Sequence, residues 1–188
     1  MARKKDISIF ISFLLRHKPE TVHLEMDRHG WVAVKDLIDG INQYSAYEID
    51  MAKLEEIVKT DEKGRYRFNE ERTKIKACQG HSIPWVEPQL QYTDPPEFLY
   101  HGTNAAAAEK IKQSGAIDKM SRHAVHMQAD ITKAWQSAKR WGLTPVVLKI
   151  DAGRMCKDGY AFGVSDNGVW CTETVPTSYI AEWIFGKN

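Results

Sequence analysis

Residues 74–82 read Lys-Ile-Lys-Ala-Cys-Gln-Gly-His-Ser and lie in the middle of a chain of 188 residues. If this stretch begins as a strand, alternation places Lys74 and Lys76 on one face and Ile75 and Ala77 on the other. One face would be charged and the other would pack against a core. Because lysines also protect exposed strand edges, the pattern predicts either a solvated edge or a surface that handles anions.

The residues just before this stretch predict its partner strand. Tyr66 and Phe68 alternate with Arg65 and Arg67, and after a turn the chain returns through residues 74–77. Two alternating runs joined in this way are typical of a β-hairpin. Its basic residues indicate a partner that carries phosphates, since phosphates are contacted mainly by Arg and Lys.

Three helices are predicted upstream of this hairpin. The first helix has an apolar stripe at Ile7, Phe10, Ile11 and Leu14, carries Arg16-His17-Lys18 in its last turn and ends before Pro19. The second helix covers 34–42. The third helix is capped by Ser45 and has an apolar stripe at Met51, Leu54, Ile57 and Val58. Helices followed by a basic hairpin are typical of a winged helix, a form used both on nucleic acid and in protein contacts.

The composition is that of an ordinary globular protein, with 43% hydrophobic and 27% charged residues. A net charge of +1 excludes binding of nucleic acid by bulk charge, so any polyanion must meet a local cluster. Cys78, Cys156 and Cys171 are odd in number and far apart, which predicts free thiols in a reducing compartment. We therefore expect a cytoplasmic protein, without a targeting segment or a membrane span.

A proline-rich stretch divides the sequence. Four prolines occur where neither helical nor strand periodicity is found, which indicates a semi-rigid linker: Pro84, Pro88, Pro95 and Pro96. The predicted domains are residues 1–83 and 98–188, with the linker at 84–97.

The second half predicts a strand-rich α+β domain. A buried strand at 98–100 leads into His101-Gly102-Thr103, which we interpret as a polar turn before an Ala-rich helix that runs to Gly115. Gly102 would let backbone approach a ligand closely, and Thr103 with the first N–H groups of the helix can hold an anion or a nucleoside edge.

Residues 122–127 alternate as a further strand. This pattern places Arg122 and His126 on one side, where they can share a pocket, and His123 on the other. The imidazoles of His123 and His126 would then diverge, so no metal site is expected. The remaining elements are predicted as a helix at 131–141 capped by Asp130, a strand at 146–150, a turn at 166–168 and a strand at 169–172.

Five motifs, taken in chain order, resemble those of the RNA 2'-phosphotransferase family. They are Leu15-Arg16-His17-Lys18-Pro19, Ile75 to Ser82, Tyr100-His101-Gly102-Thr103, Arg122 to Met127 and Asn167-Gly168-Val169-Trp170. The resemblance extends from about Ile7 to about Trp183. It implies an N-terminal winged-helix lobe for RNA and a C-terminal lobe of the ADP-ribosyltransferase type.

The resemblance also implies a reaction. Family members use NAD as a co-substrate to remove an internal 2'-phosphate from RNA such as a spliced tRNA. The products are 2'-hydroxyl RNA, nicotinamide and ADP-ribose 1'',2''-cyclic phosphate. No metal is needed, and we expect a monomer.

By motif, the family's functional residues fall on sixteen positions of this chain. The catalytic set is Arg16, His17, Lys76 and Arg122; the NAD-binding set is His101, Gly102, Thr103, His126, Gly168, Val169 and Trp170; the phosphate- or RNA-binding set is Lys74, Gln79, Gly80, His81 and Ser82.

Two departures from the family pattern stand out. Lys76 replaces the usual Arg, which keeps the charge but loses the bidentate fork, and Met127-Gln128 replaces the common Leu-Ser. We therefore expect an active enzyme that is slower in its second step. The alternatives are an ADP-ribosyltransferase that caps terminal phosphates of RNA or DNA and stops after the first step, and a non-catalytic RNA-binding module.

Overall fold

The computed structural model describes residues 4–87 and 89–186, apart from the side chains of Lys4 and Trp141. Pro88 of the predicted linker therefore lies outside the described residues.

The chain divides into two compact units, which we call the N-terminal unit (Met1–Gln89) and the C-terminal unit (Leu90–Asn188). The division lies within the stretch 84–97. Part of that stretch has regular structure, because Gln91–Tyr92 forms a short strand that pairs with Gly163–Val164.

The N-terminal unit combines three α-helices with a small antiparallel sheet. Its elements are α1 (Lys4–Arg16), β1 (Val32–Ala33), α2 (Val34–Tyr44), α3 (Met51–Lys59), β2 (Tyr66–Phe68) and β3 (Lys74–Ala77), with a 3-10 turn at Pro19–Val22. The three strands are ordered β1-β3-β2.

The helical stripe of α1 is confirmed. Ile7, Ile11 and Leu14 are fully buried in the core of the unit. The helix ends at Arg16, and the N–H of His17 still donates to the carbonyl oxygen of Phe13 (2.9 Å). Burial of the stripe thus fixes the direction in which Arg16 and His17 leave the helix.

The predicted hairpin is also confirmed, with Arg67 opposite Lys76 and Phe68 opposite Ile75. The predicted cap of the third helix is wrong. Asp50 caps α3 by accepting from the N–H of Lys53, whereas Ser45 ends α2. Both residues are good cap formers, and Ser45 instead donates its hydroxyl to the carbonyl oxygen of Ile41.

The C-terminal unit contains three helices and nine strands among its described residues. They are β4 (Gln91–Tyr92), β5 (Phe98–Asn104), α4 (Ala105–Ser114), β6 (Ala116–Asp118), β7 (Val125–Met127), α5 (Ile131–Ala138), β8 (Pro145–Asp151), α6 (Ala152–Lys157), β9 (Gly163–Val164), β10 (Trp170–Thr172), β11 (Thr174–Pro176) and β12 (Ile180–Phe185), with 3-10 turns at Lys139–Trp141 and Thr177–Tyr179.

These strands form small antiparallel sheets ordered β12-β8-β5, β4-β9-β10-β7 and β11-β6. The first two sheets meet at a bridge between Tyr100 and Gln128, whose backbone groups exchange two hydrogen bonds of 2.8 Å. Helices and antiparallel sheets in both units confirm the α+β class.

Two local predictions in this unit are wrong. Residues 101–103 do not form a turn but continue β5, opposite Val146, Val147 and Leu148 of β8, and α4 follows at once with Asn104 as its cap. The strand predicted at 122–127 begins only at Val125, because the N–H of Arg122 donates to the carbonyl oxygen of Lys119 in a turn. Arg122 therefore lies outside the strand alternation.

Candidate functional site

The end of α1 and the loop after β3 are joined by hydrogen bonds. The N–H of Ser82 donates to the carbonyl oxygen of Arg16 (2.9 Å), and Nδ1 of His17 lies 2.8 Å from Oγ of Ser82. His17 is exposed. The structure thus brings two predicted catalytic residues against the predicted phosphate-binding loop.

Gly80 fixes the position of this loop beside Arg16. Its φ of +86° lies in the region that favours glycine, and a Cβ atom at this position would lie 3.7 Å from Cζ of Arg16. The guanidinium therefore packs close to the loop backbone. Gln79, the residue before it, is half-buried.

His81 is the buried member of the loop, with 4% of its surface exposed. A Cβ atom at Gly30 would lie 2.9 Å from Nε2 of His81, and Gly30 has a φ of +81°. Gly30 is therefore needed for the ring of His81 to fit. Gly30 was not among the site residues predicted from the sequence.

The two lysines of β3 have different environments. Lys74 is exposed, and its Nζ lies 3.9 Å from a carboxylate oxygen of Asp27. Lys76 is only 3% exposed, and its Nζ donates to Oε1 of Gln89 (3.0 Å) and lies 5.0 Å from the ring centroid of Trp31. Of the two interpretations of this stretch, the solvated strand edge is therefore wrong, because β3 is the middle strand of its sheet and Lys76 is buried.

The C-terminal unit holds the other predicted site residues, among them His101. Nδ1 of His101 lies 2.9 Å from the carbonyl oxygen of His126, and because a carbonyl can only accept, Nδ1 carries a proton. Burial lowers the pKa of His101, the hydrogen bond to His126 opposes this shift, and the charge of Arg122 adds to it. These effects favour the neutral ring, in which Nε2 is an acceptor.

Gly102 is required for packing. A Cβ atom here would overlap the carbonyl oxygen of Ala134 and lie 2.9 Å from the backbone nitrogen of Ala138. The backbone that approaches Gly102 is therefore that of α5. Its neighbour Thr103 is buried.

A tight turn positions Gly168 and Val169. Oγ of Ser165 accepts from the N–H of Val169 (3.1 Å), and the N–H of Gly168 donates to the carbonyl oxygen of Ser165 (2.9 Å). Gly168 has a φ of +75°. The turn leads into Trp170, which pairs with Met127 on β7, while Ser165 was not singled out from the sequence.

Residues 4–87 and 89–186 contain no group of three or more His, Cys, Asp or Glu side chains that could hold a metal ion. Over the same ranges, the longest apolar helices fall short of what a membrane crossing requires.

Comparisons with known proteins identify the family. The family model of "RNA 2'-phosphotransferase, Tpt1 / KptA family" matches residues 2–174. A probable RNA 2'-phosphotransferase of Fusobacterium nucleatum is 48% identical over 91% of this chain and 94% of its own length. Probable RNA 2'-phosphotransferases of Flavobacterium johnsoniae (42% identical) and Burkholderia lata (40%) each match over 94% of this chain, and over 94% and 89% of their own lengths.

Among solved structures, protein CC0527 from Caulobacter crescentus aligns with a TM-score of 0.38 at 16% identity, over 47% of this chain and 84% of its own. The sequence matches extend over both units, and they show that this chain belongs to the RNA 2'-phosphotransferase (Tpt1/KptA) family.

Proposed function

We propose that this protein transfers an internal RNA 2'-phosphate to ADP-ribose with NAD as co-substrate. The products would be 2'-hydroxyl RNA, nicotinamide and ADP-ribose 1'',2''-cyclic phosphate. The observation that carries the proposal is the 2.8 Å contact between His17 and Ser82 beside Arg16, in a chain of the RNA 2'-phosphotransferase family. It brings together the residues to which we assign proton transfer, a positive charge and phosphate binding.

The proposed division of labour follows the two units. Three helices and the β1-β3-β2 sheet are compatible with a winged-helix lobe that binds RNA. The small antiparallel sheets of the C-terminal unit are compatible with an ADP-ribosyltransferase-type lobe that binds NAD.

In the first step, an oxygen of the RNA 2'-phosphate forms a bond to the anomeric carbon of the nicotinamide ribose. The bond from that carbon to the nicotinamide nitrogen breaks, and its electron pair leaves with nicotinamide. The phosphate is an anion that must be held in line with this carbon, and fixed cations such as Arg16 and Lys76 can hold it.

In the second step, the 2''-hydroxyl of the ADP-ribose attacks phosphorus, and the bond from phosphorus to the RNA 2'-oxygen breaks. The hydroxyl loses a proton and the RNA 2'-oxygen gains one. Imidazole ordinarily titrates near pH 6.5, so His17 is suited to this proton traffic. Negative charge builds up on the phosphorus oxygens, which cations such as Arg16 and Lys76 would stabilise. The family motifs assign Arg122 to the same catalytic set.

The environment of His101 fits the nucleoside part of NAD. A neutral imidazole with Nδ1 bonded to the backbone presents Nε2 as an acceptor, which suits a ribose hydroxyl better than a phosphate. We assign the same role to the neighbouring positions taken from the family motifs: Gly102, Thr103, His126, Gly168, Val169 and Trp170.

The proposal is tested by incubating the protein with an oligoribonucleotide that carries one internal 2'-phosphate, with and without NAD. We expect nicotinamide and the cyclic phosphate to form together only when NAD is present, and the His17→Ala variant to form no cyclic phosphate. Loss of the 2'-phosphate without NAD would overturn the proposal.

The second candidate, a transferase that stops after the first step, is favoured by one observation, the replacement of the family's Arg by Lys76. A weaker grip on the second transition state would leave ADP-ribosylated RNA as the product. The same assay separates the two, because that product retains the phosphate.

A further inference from the structure

The register of the N-terminal sheet places one aromatic and two basic residues in a row. Val32 of β1 pairs with Ile75 of β3, so Trp31 lies beside Lys76 in this antiparallel pair. On the other side of β3, Arg67 is the direct partner of Lys76. Lys76 therefore occupies the middle strand between Trp31 and Arg67.

Both cations contact the same indole ring. Nζ of Lys76 lies 5.0 Å and Cζ of Arg67 lies 5.2 Å from the ring centroid of Trp31. These distances are within the range of cation–π attraction, which is strongest when the cation is withdrawn from water. Lys76, at 3% exposure, meets that condition.

The backbone of Trp31 is held by hydrogen bonds to Asp27. The N–H of Trp31 donates to Oδ1 of Asp27 (3.0 Å), and its carbonyl oxygen accepts from the N–H of Asp27 (3.0 Å). With its backbone held in this way, Trp31 can offer its ring as a platform for the ammonium. A lysine side chain has a flexible stem and a point charge, so it can place its ammonium in many positions. Contact with the indole ring reduces the number of these positions.

We propose that Trp31 is a positioning residue, which holds the Lys76 ammonium where the RNA 2'-phosphate binds. The inference rests on the proposed function, because it takes Lys76 as a phosphate-binding group. It gives Trp31 a role in recognising the 2'-phosphate that neither the sequence motifs nor the family resemblance assigned.

The test measures binding in the absence of NAD, so that turnover plays no part. The dissociation constants of two oligoribonucleotides are compared, one with an internal 2'-phosphate and one with a 2'-hydroxyl at the same position. Their ratio isolates the contribution of the 2'-phosphate. We expect Trp31→Leu to reduce this ratio by about fivefold to twentyfold, and Trp31→Phe, which keeps an aromatic face, to retain most of it.

A double-variant cycle tests whether the effect passes through Lys76. In the Lys76→Met background, Trp31→Leu should produce no further loss, because the ammonium that the ring holds is already gone. A full additional loss in that background would overturn the proposal.

Replacement of Trp31 by fluorinated tryptophans covers the case in which Trp31→Leu fails to fold. Fluorine weakens the negative face of the ring with little change in size, so the ratio should fall with each added fluorine, while a packing role would leave it unchanged. The same replacement at Trp183, whose ring lies 5.2 Å from Nζ of Lys112, is the matched control and should have no effect.

The outcomes separate the two proposals. If the unaltered protein does not distinguish the two oligoribonucleotides, the role of Trp31 is refuted, and the proposed function is decided by the assay of nicotinamide and cyclic phosphate described above. If it does distinguish them and fluorination leaves the ratio unchanged, the proposed function stands and the role of Trp31 is refuted.

Discussion

Each unit contains a histidine among its candidate site residues, and the two imidazoles have opposite environments. His17 is exposed at the end of a helix, and its Nδ1 faces a hydroxyl group, Oγ of Ser82. His101 lies within a paired strand, half-buried, and its Nδ1 donates to a backbone carbonyl oxygen.

This difference shows how one side-chain type acquires two chemistries. A hydroxyl can both donate and accept, so His17 can lose and regain a proton without losing its partner. A carbonyl oxygen only accepts, and burial lowers the pKa of His101, so that ring is held in one tautomer. The first environment suits proton transfer and the second suits a fixed hydrogen-bond acceptor.

Replacement of the exposed histidine should have the largest effect on activity. We expect His17→Ala to reduce the rate of 2'-phosphate removal by about 10²- to 10⁴-fold, because general acid–base catalysis contributes on that scale. Ser82→Ala should cost about tenfold, because it removes only the hydrogen bond that orients the ring. Steady-state assays measure the rates of both variants. Thermal unfolding of each variant checks that the substitution has not destabilised the fold.

The proposed role of His17 in proton transfer is contradicted if His17→Ala retains activity while Ser82→Ala does not. The hydroxyl, and not the imidazole, would then be the group that matters at the end of α1.

The strand that carries His101 should tolerate no side chain at Gly102. A methyl group there meets the backbone of α5 at Ala134 and Ala138, and backbone cannot rotate away as a side chain can. We expect Gly102→Ala to lower the free energy of unfolding by about 3 kcal/mol or more. Urea denaturation measures this loss.

Gly159→Ala is the control for this substitution. Gly159 has a φ of +96° and no heavy atom within 4 Å of the added methyl group. It should therefore lose only about 1 to 2 kcal/mol from backbone strain. Equal losses in the two variants would contradict close packing of α5 on β5.

The N-terminal unit shows which features the sequence could predict and which it could not. Local periodicity predicted α1 and the hairpin, because the stripe from Ile7 to Leu14 and the alternation around Ile75 are dictated by which face is buried. The burial of Lys76 could not be predicted in this way. It depends on Trp31, which reaches Lys76 only through the pairing of β1 with β3.

The candidate site in the C-terminal unit shows a similar limit. His101-Gly102-Thr103 has the composition of a polar turn, and it becomes a strand because β8 supplies partners for all three residues. The need for Gly102 arises from α5, about thirty residues later in the chain. A contact between residues so far apart in the chain cannot be predicted from the local sequence pattern. The family motif identified His101, Gly102 and Thr103 but did not explain why Gly102 is required.

The Lys76→Arg substitution tests whether the lysine at this position limits the second step. An arginine can form two parallel hydrogen bonds to a phosphate, and the guanidinium of Arg67 already lies 5.2 Å from the ring of Trp31, so the indole accepts such a group. We expect the ADP-ribosylated RNA intermediate to decay about twofold to tenfold faster in single-turnover assays. No gain over the unaltered protein would refute a slow second step caused by Lys76.

The smallest expected effect concerns the pH dependence of stability. The pKa of His101 is lowered from 6.5, first by burial and also by the charge of Arg122. Above that pH the ring is neutral in both the folded and the unfolded chain, so it contributes no pH dependence. As the pH falls through 6.5, the unfolded chain takes up the proton first, and the folded state loses stability relative to it.

His101→Asn should remove this contribution while keeping a donor near the position of Nδ1. We therefore expect the free energy of unfolding to fall less steeply in the variant than in the unaltered protein between about pH 7 and pH 5. Urea denaturation at several pH values gives both slopes. A slope that is unchanged in the variant would mean that the folded chain accommodates a charged His101, and the proposed difference between the two histidines would then be lost.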